Sequence, residues 1–371
     1  MVRNDNYWRT CDIGPAWEGG PCGPASFERV VELIVDEWGT RFAMLQAGDI
    51  DRVILPSLAV VEQLDPFAGE LCTYNPDTFD FDCAATETSD GPFRAYWQYP
   101  TVVRTDGLFT FEMNTEGGNP YIGSGELDGA GIPPDFFSDV HVRRAFNYCF
   151  DWDTYIADAF NGEAVQTVGF LIPGMPGYNP NGPKYTFDVA KCQAEIEQAW
   201  DGAVAENGFR LQAGYNIGNE ARRPAIELVS NNFQSIDTKY RIESVGLPWP
   251  TFLASLRASR LPLAFSGWLE DIHDPHNWGQ PFLVGTYAAR QALPQEFIDR
   301  YSELLDAGVA ATDPAERAVI YEQLQEMDYN DTIGIRLAVA TGRRYEQRWV
   351  HGWYYNPIYP DNQYVYALWE E

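Results

Sequence analysis

Arg210-Leu211-Gln212-Ala213-Gly214-Tyr215-Asn216-Ile217, Arg241-Ile242-Glu243-Ser244-Val245 and Leu263-Ala264-Phe265-Ser266-Gly267-Trp268 are three short apolar runs within residues 186–268. Each reads as a strand. Helical periods separate them: Asp188 through about Trp200, a helix through about Phe233 with Pro224 in its first turn, and Thr251 to Ser259. Helix–strand alternation of this kind argues for an α/β fold with a largely parallel sheet. Working outward, Phe109 to Met113 is a short strand. Ser138 can cap a helix through about Tyr148, and Asp151 or Asp153 starts another that Gly162 ends. Residues 27–47 read as a helix, or as a strand and then a helix, stopped at Gly48. Downstream, helices are expected at about 294–308 and 314–330, followed by a strand at 333–340. The Gly-, Pro- and Asn-rich stretches 114–135 and 172–186 read as surface loops.

The chain has 371 residues and a net charge of −29, from 25 Lys+Arg against 54 Asp+Glu. A surface this acidic repels phosphate, and no basic block compensates, so nucleic acid is excluded as a partner. No window approaches 18 uncharged apolar residues, which excludes a membrane-spanning helix. The length suggests two or three domains. Aromatic residues are abundant, with 21 Tyr, 21 Phe and 12 Trp. Most belong in cores, but such side chains also line sites for sugars, peptides and other amphipathic ligands.

Six cysteines are present. Cys11 and Cys22, and Cys72 and Cys83, form two pairs spaced by eleven positions around turn-rich segments. Loops closed at that spacing look like local disulfides, which require an oxidising compartment; the alternative is six buried thiols in a cytoplasmic protein. A third bridge, Cys149–Cys192, is also expected. Met1 is followed by no apolar signal region.

The chain carries no enzyme signature: no GxSxG, GxxxxGK[ST] or HExxH. His273-Asp274-Pro275-His276 invites a metal reading, but Pro275 argues for a loop with two ordinary histidines, and no metal site or cofactor is expected. Glu270 and Asp271 are adjacent in a strand-like segment. They therefore point to opposite faces and make poor acid/base partners for a glycosidase. At the carboxyl end of the third strand, where α/β sheets bind ligands, an indole and a cluster of acids make a receptor for a cationic group.

Six segments in order resemble the periplasmic peptide-binding family, the substrate-binding subunits of ABC importers for di- and oligopeptides, nickel and some oligosaccharides. Arg3-Asn4-Asp5-Asn6-Tyr7-Trp8 is similar to the family's RNpdYW, and Ala47-Gly48-Asp49-Ile50-Asp51 to its aGeiD. Asp139 to Tyr148 with Asp151 resembles DvrVRqAlny…D, and Tyr185 with Asp188-Val189-Ala190-Lys191 resembles y..D..kA. Gly267-Trp268…Asp271…Asp274-Pro275 resembles gW..D..DP, and Asp313-Pro314 through Arg317 and Tyr321 resembles D…R..Y. The resemblance implies a two-lobed, type II periplasmic-binding-protein clamshell. It also implies a chain missing its family's export signal and first segment, on the order of 150 residues or more. Residues 1–111 with 334–371 would form the larger lobe and 112–333 the second, with Phe109–Met113 and Ile333–Ala340 near the hinge.

The expected function is that of an extracytoplasmic component, periplasmic or lipid-anchored, delivering oligopeptides to a membrane permease. A monomer is expected, and no enzyme. In peptide-binding members the Asp of gW..D pairs with the ligand's α-ammonium; that position is Asp271, with Trp268 flanking an aromatic-lined cleft. Dipeptide binders hold the ligand's carboxylate with an Arg whose position here is Tyr215, which leaves longer peptides, an oligosaccharide or another small solute open. The expected ligand-binding residues are Asp271, Trp268, Tyr215 and Trp249. An extracellular hydrolase is the competing class.

Overall fold

The computed structural model describes residues 1–35, 37–56, 58–219, 221–356 and 364–371. The chain forms two compact units. One comprises Met1–Thr101 and Thr341–Glu371; the other is Val102–Ala340, inserted between them. Both are α/β. Residues 102–111 and 334–340, which the resemblance assigns to the larger lobe, supply strands to the inserted unit's sheets.

The first unit is built on a five-stranded sheet in the order Arg52–Val53, Gly342–Gln347, Phe93–Tyr99, Ala68–Asn75, Asp80–Ala85. Only the pair Ala68–Asn75 and Phe93–Tyr99 is parallel. Leu45, Val61, Leu64, Phe93 and Tyr345 are fully buried in its core. The helix expected within 27–47 is Trp38–Ala47. Glu37 caps its start and Gly48, at φ 78°, its end, where only a residue without a Cβ adopts a left-handed turn cheaply. The apolar run before it joins no strand ladder among the described residues, and Ile34 is 93% exposed.

The inserted unit's main sheet has the order Gly334–Arg336, Val103–Phe109, Leu263–Leu269, Phe209–Asn216, Tyr240–Leu247. The last three strands are parallel, as the alternation predicts, connected through helices Arg222–Ile236 and Trp249–Arg257. Val103–Phe109 runs antiparallel to both of its neighbours, so the sheet is mixed. The strand expected at 333–340 is two short strands. Gly334–Arg336 pairs with Val103–Phe109, and Ala338–Ala340 pairs with Ala164–Gln166 in a separate ribbon. Asp139 rather than Ser138 caps helix Val140–Tyr148, because its carboxylate reaches the His141 amide at 2.7 Å. Asp151 caps Trp152–Phe160.

Strand alternation sorts the side chains onto two cores. Phe109, Leu211, Leu263 and Phe265 join Phe146 and Phe233 on one face. Leu108 and Ala264 join Trp278, Phe282, Tyr301 and Leu305 on the other. Four charged groups are sealed into the second face. Asp106 Oδ2 accepts from Arg104 Nη2 at 2.7 Å and from Arg336 Nη1 at 3.2 Å. Arg336 in turn donates to both oxygens of Asp328, at 2.6 and 2.9 Å. Arg104 Nη1 also reaches the carbonyls of Gly169 and Leu171. Two cations and two anions balance, the condition under which buried charge is tolerated. Asp106→Ala leaves two buried guanidinium groups short of a partner. It is expected to lower unfolding free energy by about 3–5 kcal/mol in a denaturant titration, with little effect if the network is dispensable.

All six cysteines are paired: Cys11–Cys22, Cys72–Cys83 and Cys149–Cys192. Cys72 and Cys83 face each other across neighbouring antiparallel strands. Cys149–Cys192 ties the end of helix Val140–Tyr148 to helix Val189–Gln198. Thiol titration of the denatured, unreduced chain should find no free thiol. The Cys149→Ser/Cys192→Ser pair should cost about 4 kcal/mol, from the chain-entropy cost of a loop of this size.

Candidate functional site

Parallel strands place their carboxyl ends on one edge, and the loops leaving that edge carry the expected ligand residues. Tyr215 is the penultimate residue of Phe209–Asn216. Trp249 opens the helix after Tyr240–Leu247. Trp268 is next to last in Leu263–Leu269, and Asp271 follows two residues beyond that strand.

The loop after Leu269 is held from several sides. Glu270 and Asp271 do point apart: Glu270 is buried and Asp271 exposed. The Glu270 carboxylate accepts from Trp278 Nε1 at 2.9 Å and meets His273 Nδ1 at 2.8 Å. Trp278 lies under the Arg104 guanidinium, 5.2 Å from ring centre to Cζ, so the loop rests on the buried charge network. Asn277 Oδ1 accepts both the Asp271 amide at 2.9 Å and the Trp268 indole N–H at 3.3 Å. One side chain thus sets the backbone of the acid and the orientation of the indole. The Trp268 ring is half-buried, edge-on to Phe282 and Tyr287. The Asp271 carboxylate has no hydrogen-bond or ion-pair partner among the described residues.

Tyr215 is half-buried and lies across Gly246, its register partner on the next strand. A Cβ there would sit 2.9 Å from the Tyr215 hydroxyl, so the glycine makes room for the ring. Trp249 is 52% exposed and packs on Phe252. The structure therefore joins Trp268 and Asp271 directly through Asn277, and sets Tyr215 and Trp249 at the same sheet edge on separate supports.

Asp274 turns away from this group. It accepts from the His276 amide and forms a bidentate pair with Arg317 at 2.8 and 2.9 Å. A cavity of about 630 Å³ opens beside that pair and does not include Asp271, Trp268, Tyr215 or Trp249. His273 is engaged with Glu270, and among the described residues neither histidine of the loop joins a cluster of metal-ligating groups. Among the described residues the one group of three potential ligands is Glu70, Cys72 and Cys83, whose two sulfurs are joined in a disulfide.

Neither Asn277 nor Arg222 carries a mark in the sequence pattern. Asn277 lies in the segment after the Asp-Pro, where nothing in spacing marks it. Arg222 is the first residue of helix Arg222–Ile236, and its side chain turns inward, 9% exposed.

Burial pushes the Asp274 carboxyl up, but the Arg317 hydrogen bonds and charge outweigh it, and its pKa lies below the ordinary value. A carboxylate held below its unfolded pKa adds stability that is complete above that value and is lost as pH falls through the folded one. Asp274→Asn should therefore flatten the acid limb of the melting-temperature profile below about pH 4. It should leave the shape of the profile above neutrality unchanged; an unaltered acid limb would show the pair to be inert.

The family model for bacterial extracellular solute-binding proteins, family 5 Middle, matches residues 1–289. Heme-binding protein A of Haemophilus influenzae is 23% identical over 343 residues, covering 92% of this chain and 51% of that protein. Among solved structures, NikA from Brucella suis in complex with Fe(III)-EDTA superposes with a TM-score of 0.69 at 17% identity, over 100% of this chain and 65% of that one. The periplasmic binding protein DppA from Helicobacter pylori in complex with the peptide STSA gives 0.65 at 21%, over 90% and 55%. At these identities the likeness is one of fold, the two-lobed α/β class of periplasmic binding proteins. The chain spans about half the length of the curated relatives it matches.

Proposed function

The chain belongs to the bacterial extracellular solute-binding proteins of family 5, and on that premise we propose that it is the substrate-capturing component of an ABC importer for oligopeptides. The observation that carries this reading is the Asp271 carboxylate, exposed and without a partner among the described residues, beside the Trp268 indole, with the Asp271 backbone and the indole both held by Asn277. A free carboxylate next to an indole face receives an ammonium through a charge-assisted bond and a cation–π contact. A peptide's amino terminus is such a group. Asn277 fixes the receptor before the ligand arrives, so little ordering cost is charged to binding. Tyr215 and Trp249, at the same sheet edge, offer flat apolar surface to peptide side chains. Tyr215 brings no positive charge, which favours ligands longer than a dipeptide.

Work outside the cytoplasm suits the three disulfides, which need an oxidising compartment. No helix among the described residues is long and apolar enough to cross a membrane. The acidic surface disfavours nucleic acid, and delivery requires a permease embedded in the membrane. The protein binds its solute and releases it unchanged, acting as a monomer. A neutral oligosaccharide stacked on the same rings is the alternative ligand within this fold.

Calorimetric titration with short peptides tests the reading. Saturable binding without hydrolysis supports it. Asp271→Asn should weaken binding at least about tenfold, since a charge-assisted bond contributes roughly 1.5–3 kcal/mol. Unchanged affinity removes the amine-receptor role, and a melting shift with oligosaccharides alone replaces the ligand class.

A further inference from the structure

The cavity beside Asp274 and Arg317 lies wholly within the inserted unit and takes no part in the proposed solute site. It opens where the end of helix Gln295–Ala310 meets the start of helix Pro314–Asp331, against the turn Asp274-Pro275-His276. Its volume of about 630 Å³ is ordinary for a small-molecule pocket. Pro275, Val309, Ala311, Pro314 and Ala318 give it apolar walls.

The charges at its wall are already engaged. Asp274 and Arg317 form their bidentate pair, and Arg317 Nε donates to the Gly308 carbonyl at 2.9 Å. Asp313 caps helix Pro314–Asp331 by accepting from the amides of Ala315 and Glu316, so the positive end of that helix is satisfied too. Neither the guanidinium nor the helix start is left for an anion, nor the carboxylate for a cation.

Two other polar groups of the lining are not engaged. Tyr321 is fully buried, yet its hydroxyl has no hydrogen-bond partner among the described residues. Arg317 lies over the Tyr321 ring, with Cζ 5.2 Å from the ring centre, but its donors go to Asp274 and Gly308. Burial raises the pKa of this phenol, so it stays a donor. The charges it feels are those of Arg317 and Asp274, which places the hydroxyl toward the polar end of the cavity. His276 Nδ1 is likewise buried and without a partner among the described residues. Buried polar atoms are nearly always satisfied, so two orphans around one cavity mark a missing partner.

We infer that this cavity is a second binding site, for a small uncharged molecule with an apolar body and one hydrogen-bonding head, such as a hydroxyl or an amide. The body displaces water from the proline- and alanine-lined walls, and the head satisfies the Tyr321 hydroxyl and His276 Nδ1. His276 directly precedes Asn277, which holds Asp271 and Trp268, so an occupant touches the loop of the solute site from its other end. The site stands on its own, whatever solute the sheet edge captures.

4-Ethylphenol, ethylbenzene and 4-ethylbenzoate, titrated calorimetrically into the disulfide-bonded chain, separate body, head and charge. The phenol should bind saturably, the hydrocarbon about fivefold more weakly and the anion at least about tenfold more weakly. Tyr321→Phe should narrow the gap between phenol and hydrocarbon. It should melt no lower than the parent, because it removes a buried hydroxyl that has no partner. Val309 lines the cavity and is 59% exposed. Val309→Trp should therefore fill the mouth and abolish binding without lowering the melting temperature. Binding of none of the three, an anion that binds as well as the phenol, or binding that survives Val309→Trp unchanged overturns the site. An unchanged gap in Tyr321→Phe, or a lower melting temperature for it, overturns the role of the Tyr321 hydroxyl.

Discussion

The sealed network of Arg104, Asp106, Arg336 and Asp328 is the constraint from which the inserted unit is organised. It joins two antiparallel strands, the long helix Pro314–Asp331 and the loop at 169–171 through charge-assisted bonds in a buried core. In such surroundings each bond is strong and each vacancy is costly, so the four groups hold one arrangement. The Arg104 guanidinium then supports Trp278, Trp278 donates to Glu270, and Glu270 holds His273. The residues that stand exposed at the sheet edge owe their positions to a chain of contacts that begins inside the core. Asp271 stays exposed while its buried neighbour Glu270 carries the structural duty.

The same sheet treats positive charge in two ways. On one face each guanidinium of the network shares a carboxylate, and Trp278 and Phe282 stack against the cations. On the other, Arg222 sits at a helix start with an amide oxygen and a hydroxyl for company. Residue parity along Val103–Phe109 explains the separation. Arg104 and Asp106 point to one side and Thr105 to the other, so the acids of the network cannot reach Arg222. Alternate residues of one strand thus confine the balanced charge network to one face of the sheet.

Much of this could be read in the residue pattern. The parallel strands and connecting helices of 186–268 follow from local periodicity, as does the opposite placement of Glu270 and Asp271. The first two disulfides follow from short loops whose ends are close in sequence. Features set by distant pairing were not legible. Val103–Phe109 runs antiparallel to partners more than 150 residues away, and no local signal encodes the direction of such a pairing. The break at Leu337 exists because Arg336 turns into the charge network while Ala338 pairs with a different strand. Asn277 and Arg222 act through side chains that converge only after folding, so their spacing in sequence carries no mark of the contact.

The insertion of one unit within the other has a consequence for the order of events on the ribosome. Every strand of the inserted sheet has been made by residue 336, and its first and last strands are direct neighbours. The other unit's sheet has a gap between Arg52–Val53 and Phe93–Tyr99 until Gly342–Gln347 emerges to fill it. Synthesis from the amino terminus therefore lets the inserted unit condense while the flanking one still waits for a central strand. The strands that precede the insertion are among the last to be locked in place.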